Sequence, residues 1–118
     1  MKKSDLERIK KILETWNALQ ARMEERGITR DLLMKDEFLQ WAVTTPLYNI
    51  GEQVYQISSD LKAQYPDIPW SAVAGLRHRL VHDYEGINWS IIVEVIFDEM
   101  PDFIEDMQEI AASLSQEI

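Results

Sequence analysis

Residues 5–25 read DLERIKKILETWNALQARMEE, and this stretch decides the fold class. Leu6, Ile9, Leu13, Trp16, Leu19 and Met23 recur at spacings of three and four. That period lines them up on one face of an α-helix, which turns once every 3.6 residues. Polar and charged side chains fill most of the positions between. Ser4 or Asp5 is a suitable N-cap, and Gly27 a suitable stop.

The same period runs on through the chain. Thr29 can cap a second helix, with Asp31 in its first turn near the positive end of the dipole. Its apolar set includes Leu32, Leu33, Phe38, Trp41 and Ala42, and Pro46 should kink it or start a new segment. The next segment carries Leu47, Ile50, Val54, Ile57 and Leu61 at helical spacing. Tyr65-Pro66-Asp67-Ile68-Pro69 must break it, because its two prolines cannot both lie in one helix interior. Another helix starts near Trp70 or Ser71 and turns Val73, Leu76 and Leu80 inward. Gly86 marks a turn. Asn88 can cap a last helix with Ile91, Ile92, Val95 and Ile96, which Pro101 kinks or restarts before Phe103, Ile104, Met107, Ile110 and Leu114. Strand-like alternation, repeats and low-complexity linkers are all missing. The expected fold is all-α: an up-and-down bundle of four to five helices forming one domain over residues 1–118. Short connections should make neighbouring helices antiparallel.

Composition narrows the class further. At 118 residues and 46% hydrophobic, the chain suits a single core. It has no cysteine, which removes disulfide and thiolate chemistry and fits a cytoplasmic location. No apolar run approaches the roughly 20 residues of a membrane span. No apolar segment follows Met1-Lys2-Lys3-Ser4-Asp5, so no signal peptide is expected. The net charge of −9 argues against wrapping nucleic acid over a broad basic surface. The charge is also unevenly placed: residues 1–79 sum to +1 and residues 80–118 to −10. The acidic part is either a solvated helix face or a docking surface for a basic partner.

Chemistry concentrates in Arg77–Tyr84, RHRLVHDY. Both histidines, His78 and His82, fall here, with the last two basic residues, Arg77 and Arg79. Histidine exchanges a proton near pH 7, and arginine holds a phosphate in a planar fork. The pairing points to phosphate chemistry or recognition. Arg77 and His82 stand about 140° apart on an ideal helix, so they converge only if the helix ends or unwinds between them. His78 and His82 share a face at the spacing of a two-histidine metal site, but no third ligand is evident. Structural roles compete with these readings. Arg and His often finish helices, where they complement the dipole, and Tyr84 could be a core aromatic with a wet hydroxyl.

The pattern R-x-x-x-x-H-x-Y, here Arg77, His82 and Tyr84, resembles the HEPN superfamily and within it the HepT-like toxins. Its flanks agree: Ile68-Pro69-Trp70, Gly75-Leu76-Arg77, Leu80-Val81-His82-Asp83-Tyr84 and Gly86-Ile87 look like that family's central block. Ile50-Gly51-Glu52 looks like its earlier helix, and Met100-Pro101 like its final one. One residue departs from the pattern: HepT-like proteins usually carry Asn after the motif arginine, and this chain has His78.

The resemblance implies a metal-independent endoribonuclease working at the interface of a homodimer, with no cofactor. It implies Arg77 as phosphate holder, His82 as the proton-transfer residue and His78 in a supporting role. Glu52 is read first as a surface or interhelix ion-pair residue, with a supporting partner that orients Arg77 as the alternative. The implied partner is a small nucleotidyltransferase antitoxin of the MntA type, which silences the toxin by adding AMP to Tyr84. A different class of function also fits: a non-catalytic subunit that docks on a nucleotidyltransferase and presents substrate to it.

Overall fold

The first helix, α1, runs from Lys2 to Glu25 in the computed structural model, which describes residues 2–81 and 86–116, with side chains from Asp5 onward. Leu6, Ile9, Ile12, Trp16, Leu19 and Met23 of α1 are buried. Ile12 takes the inner place expected of Leu13, which is half-buried. The helix stops as predicted at Gly27, whose φ of 61° is the left-handed conformation glycine adopts without a Cβ penalty. Ile28 N donates to Met23 O at 2.9 Å and Gly27 N to Glu24 O at 3.2 Å. These two bonds form a Schellman motif.

Two expected continuous helices are each divided. Helix α2 (Arg30–Lys35) and helix α3 (Glu37–Gln56) are separated by Asp36 in an extended conformation. Thr29 caps α2 by accepting from Leu32 N, and Asp36 caps α3 by accepting from Leu39 N. An Asp that can satisfy the next helix's free N–H groups makes the break favourable. Pro46, by contrast, breaks nothing: α3 runs through it. Its ring leaves the carbonyl of Ala42 without a helical donor, and Ala42 is exposed, where water can serve. The second division falls at Ile57-Ser58. Ser58 caps helix α4 (Ser59–Gln64), so Leu61 belongs to a separate element from Val54.

Asp5 does not cap α1, which is already helical at Lys2. It is only 6% exposed, and its carboxylate accepts from Ser58 N at 3.0 Å and from Ser58 Oγ at 2.7 Å. One buried acid therefore fastens the start of α1 to the turn that ends α3. Arg8 adds a bond to Gln53 Oε1 at 3.3 Å, so α1 and α3 run antiparallel.

The Tyr65–Pro69 break holds as predicted, and helix α5 covers Trp70–Val81. Trp70 donates its indole N–H to Tyr65 O at 3.0 Å and meets Phe103 edge-on, with centroids 5.9 Å apart. Asn88 caps helix α6 (Trp89–Glu94). A π-helical turn over Val95–Glu99 then leads into helix α7 (Met100–Gln116). Pro101 lies just after the π turn in the continuous α6–α7 rod, and that wide turn accommodates the ring and its missing N–H. The rods are thus α1, α3, α5 and the joined α6–α7, with α2 and α4 as short additions. The chain is an all-α single domain of 45 × 29 × 21 Å. Among the described residues, no helix is long and apolar enough to cross a membrane.

Replacing Asp5 with Ala leaves two donors on Ser58 unmatched. Bonds to a charged group contribute about 1.5–3 kcal/mol each, partly offset by solvent. Asp5→Ala should lower stability by about 2 kcal/mol in a urea melt, and a midpoint equal to wild type would show that the latch is unimportant.

Candidate functional site

Gly51 of α3 lies against the backbone of α5. A Cβ on Gly51 would stand 2.8 Å from Arg77 N and 3.2 Å from Val73 O, both backbone atoms that cannot swing aside. Only glycine permits this crossing, and the crossing places the following residue, Glu52, beside Arg77. Arg77 Nε donates to Glu52 Oε1 at 2.6 Å. Gln56 Nε2 donates to the other carboxylate oxygen at 3.2 Å. The guanidinium also lies over the Tyr55 ring, 4.2 Å from its centroid. Both partners of the ion pair keep 31% of their side-chain surface exposed, so the group is braced yet reachable from solvent.

The electrostatics follow from this geometry. The bond from Arg77, with a further one from Gln56, holds the Glu52 carboxyl below its ordinary range. Glu52 in turn raises Arg77, with smaller contributions from Tyr55 and Tyr48. Glu52 fixes the Nε edge of the guanidinium and Tyr55 fixes its plane. Among the described residues Glu52 is the acid that pairs with Arg77, and it does so at Nε.

His78 and Arg79 are exposed on α5, past Arg77. The helix is regular through Val81. His82 and Tyr84 lie outside the described residues. Among the described residues no group of three or more His, Asp or Glu has the geometry to hold a metal ion.

Tyr48 and Tyr55 were not anticipated as site residues. With Glu52 they stand at i, i+4 and i+7 on α3, a spacing that carries them along one face. Phe38 and Trp41 continue that face toward the start of α3, and here the core expectation is overturned. They are 72% and 63% exposed. Helix α3 has a second apolar row, Val43, Leu47, Ile50 and Val54, and that row fills the core. An apolar count too large for one face was the available signal. Tyr55 of α3 and Val81 of α5 are exposed as well.

Two outcomes are expected here. Gly51→Ala must separate α3 from α5 or strain them, at about 1–3 kcal/mol, the range for overpacking; unchanged urea stability would refute the close crossing. The ion pair predicts a pH dependence with a definite sign. A carboxyl held low in the folded state contributes stability above its unfolded value of roughly 4.3, and this is lost as pH falls through the lower folded value. The stability difference between wild type and Glu52→Gln should therefore shrink between pH 5 and the acid limit. A constant difference across that window would mean that charge is not what Glu52 contributes.

Residues 3–110 match the family described as ribonuclease HepT-like. A protein of Methanocaldococcus jannaschii named "Putative RNase MJ0127" is 37% identical over 90 residues, covering 76% of this chain and 74% of its own length. "Putative RNase TTE0752" of Caldanaerobacter subterraneus subsp. tengcongensis is 34% identical over 85 residues, covering 72% of this chain and 76% of its own. "Probable ribonuclease HepT" of Thermococcus cleftensis is 32% identical over 76 residues, covering 64% and 69%. No solved structure matches. With an all-α bundle, an arginine braced at a helix crossing and a match across nearly its whole length, this chain belongs to the HepT-like ribonuclease family.

Proposed function

We propose that this protein is an endoribonuclease toxin that cleaves RNA by transesterification, with Arg77 holding the scissile phosphate and His82 moving the proton. The observation that carries the reading is the guanidinium braced by Glu52 at Nε and lying over the Tyr55 ring while it stays partly exposed. RNA brings its own nucleophile. The 2′-oxygen loses its proton to a base and attacks phosphorus. The bond to the 5′-oxygen breaks, and that oxygen takes a proton from an acid. The products are a 2′,3′-cyclic phosphate and a 5′-hydroxyl. A histidine near its ordinary pKa serves as base or acid, and a fixed arginine stabilises the charge building on the phosphate oxygens. His78 supports the site as a polar neighbour.

Transesterification needs both a base and an acid, and one chain supplies one His82. A two-fold homodimer supplies two copies of Arg77 and His82 to one cleft. The exposed Phe38, Trp41 and Tyr55 of α3 favour such a pairing, because they are apolar and Tyr55 lies against Arg77. Control follows from the same site. The partner is an MntA-type nucleotidyltransferase, and AMP on Tyr84 would place a bulky anion near the arginine fork, filling it and repelling RNA.

His82→Ala should lower cleavage of RNA by about 10²–10⁴-fold with chelator present, and Arg77→Ala by about 10²–10³-fold. In a growing host, arrest by the chain alone should need His82 and be relieved by the neighbouring nucleotidyltransferase, with an AMP adduct on Tyr84 by intact mass. Normal growth at confirmed expression, with partner binding retained, would instead identify a non-catalytic docking subunit. Phe38→Asp should convert the dimer to monomer in sedimentation velocity; a dimer that survives it would place the interface elsewhere.

A further inference from the structure

An open cleft of about 360 Å³ lies between α1 and the second half of α3, lined by Glu7, Arg8 and Lys11 of one helix and Gln53 of the other. Gln53 directly follows Glu52, so their side chains leave α3 about 100° apart. Glu52 meets Arg77 on the α5 flank, at 2.6 Å. Gln53 meets Arg8 on the α1 flank, its Oε1 accepting from Nη1 at 3.3 Å. The Glu52 carboxyl, held low first by the bond from Arg77, also feels the Arg8 charge. Two guanidinium groups thus flank the same turn of α3. What separates them is roughly the width of one helix, about 10–12 Å with its side chains. We propose that the Arg8–Lys11 cleft holds a second phosphate of the RNA strand whose scissile phosphate lies at Arg77. The proposal rests on the ribonuclease reading and extends it to the path of the strand across α3.

The chemistry of the cleft fits a phosphate. Guanidinium, ammonium and carboxamide N–H groups are all donors, and the phosphate oxygens are acceptors. With its oxygen engaged by Arg8, Gln53 offers its amide nitrogen. The acid in the lining, Glu7, stands four residues before Lys11 on α1, the favourable order for a helix ion pair. Two cations outnumber it. The sequence around the cleft points the same way. Five of the 12 Lys and Arg (Lys2, Lys3, Arg8, Lys10 and Lys11) fall within the first 11 residues, against two acids, Asp5 and Glu7. Asp5 is committed to Ser58 inside the fold. Lys11 also borders a second open cleft farther along the α1–α3 seam, with Thr15, Arg22 and Pro46 in its lining. In a chain of net charge −9 the start of α1 is a local exception, and it lies beside the α3 turn that braces Arg77.

The test counts the phosphates that the protein neutralises. The intact chain is titrated with a labelled single-stranded 2′-O-methyl oligoribonucleotide, which carries the phosphates but no free 2′-hydroxyl and so stays uncut. On a single strand each neutralised phosphate contributes about 0.7 to the slope of log K against log salt. The double variant Arg8→Gln/Lys11→Gln should weaken binding and lower that slope by about 0.7. Arg8→Lys keeps the charge and should keep the slope. Lys10→Gln/Arg26→Gln removes equal charge from exposed positions outside the cleft and should leave the slope unchanged. A cooperative urea melt shows that each variant is folded. An unchanged slope in the cleft variant overturns the proposal, as does an equal loss in the Lys10/Arg26 pair. So does intact RNA binding with weakened self-association in sedimentation, which would assign the cleft to the acidic C-terminal residues of a second copy. Wild type that neither binds nor cuts RNA defeats the ribonuclease reading and this proposal together. Cleavage that needs Arg77 and His82, beside a cleft variant that keeps its slope, defeats this proposal alone.

Discussion

The structure depends on one close approach, the contact between Gly51 and the backbone of α5. A helix pair with ordinary side chains at its crossing sits 8–10 Å apart. Without a Cβ at Gly51 the two backbones come close enough for a short Glu side chain on one to reach the Nε of an Arg on the other. The same approach sets the register of the seam. Tyr48 and Tyr55 fall one turn to either side of Glu52, so Arg77 is met by an acid along its edge and a ring on its face. The Asp5–Ser58 latch secures the other flank, holding the end of α3 to α1 while α5 presses from the opposite side. The guanidinium is thus positioned by elements that are themselves anchored at two points.

Much of the fold was legible because burial imposes a period on the sequence. Ile9, Trp16, Leu47, Val54, Leu76 and Phe103 were all assigned inward and are all buried. The Gly27 stop, the Tyr65–Pro69 break and the Asn88 cap were legible for a second reason: each uses a residue with a strong local preference. The misreadings share a cause as well. The breaks at Asp36 and Ile57-Ser58 depend on caps whose competition with helix continuation is close, and Ser58 is fixed by Asp5, which is 53 residues away. Pro46 starts no new segment: α3 continues through it, and Ala42, whose carbonyl it leaves without a helical donor, is an exposed residue.

The site was legible to a different depth. Arg77 and Glu52 stood out by their place in a motif and its flank, and they meet in the structure. Tyr55 could not be found this way, because its role arises only when two helices cross in a particular register. Phe38 and Trp41 illustrate the converse problem. Apolar side chains signal that a surface will be covered, but they do not say by what. On α3 one apolar row faces the core and another faces solvent, and periodicity alone ranks them equally.

Charge remains the apparent obstacle to an acidic chain acting on RNA, and the placement of its acids resolves it. Some of the C-terminal acids are engaged within the fold: Asp98 pairs with Arg30, whose guanidinium also lies over Phe97, tying α2 to the π turn. Others crowd one another along α7, where burial raises the Asp106 carboxyl and Glu109 and Asp102 raise it further. At the seam, Glu52 neutralises only the Nε side of Arg77 and orients the rest. Among the described residues Arg30 and Arg77 are each held by an acid and a ring, in a chain whose net charge of −9 disfavours RNA along its surface. That combination disfavours indiscriminate binding of nucleic acid.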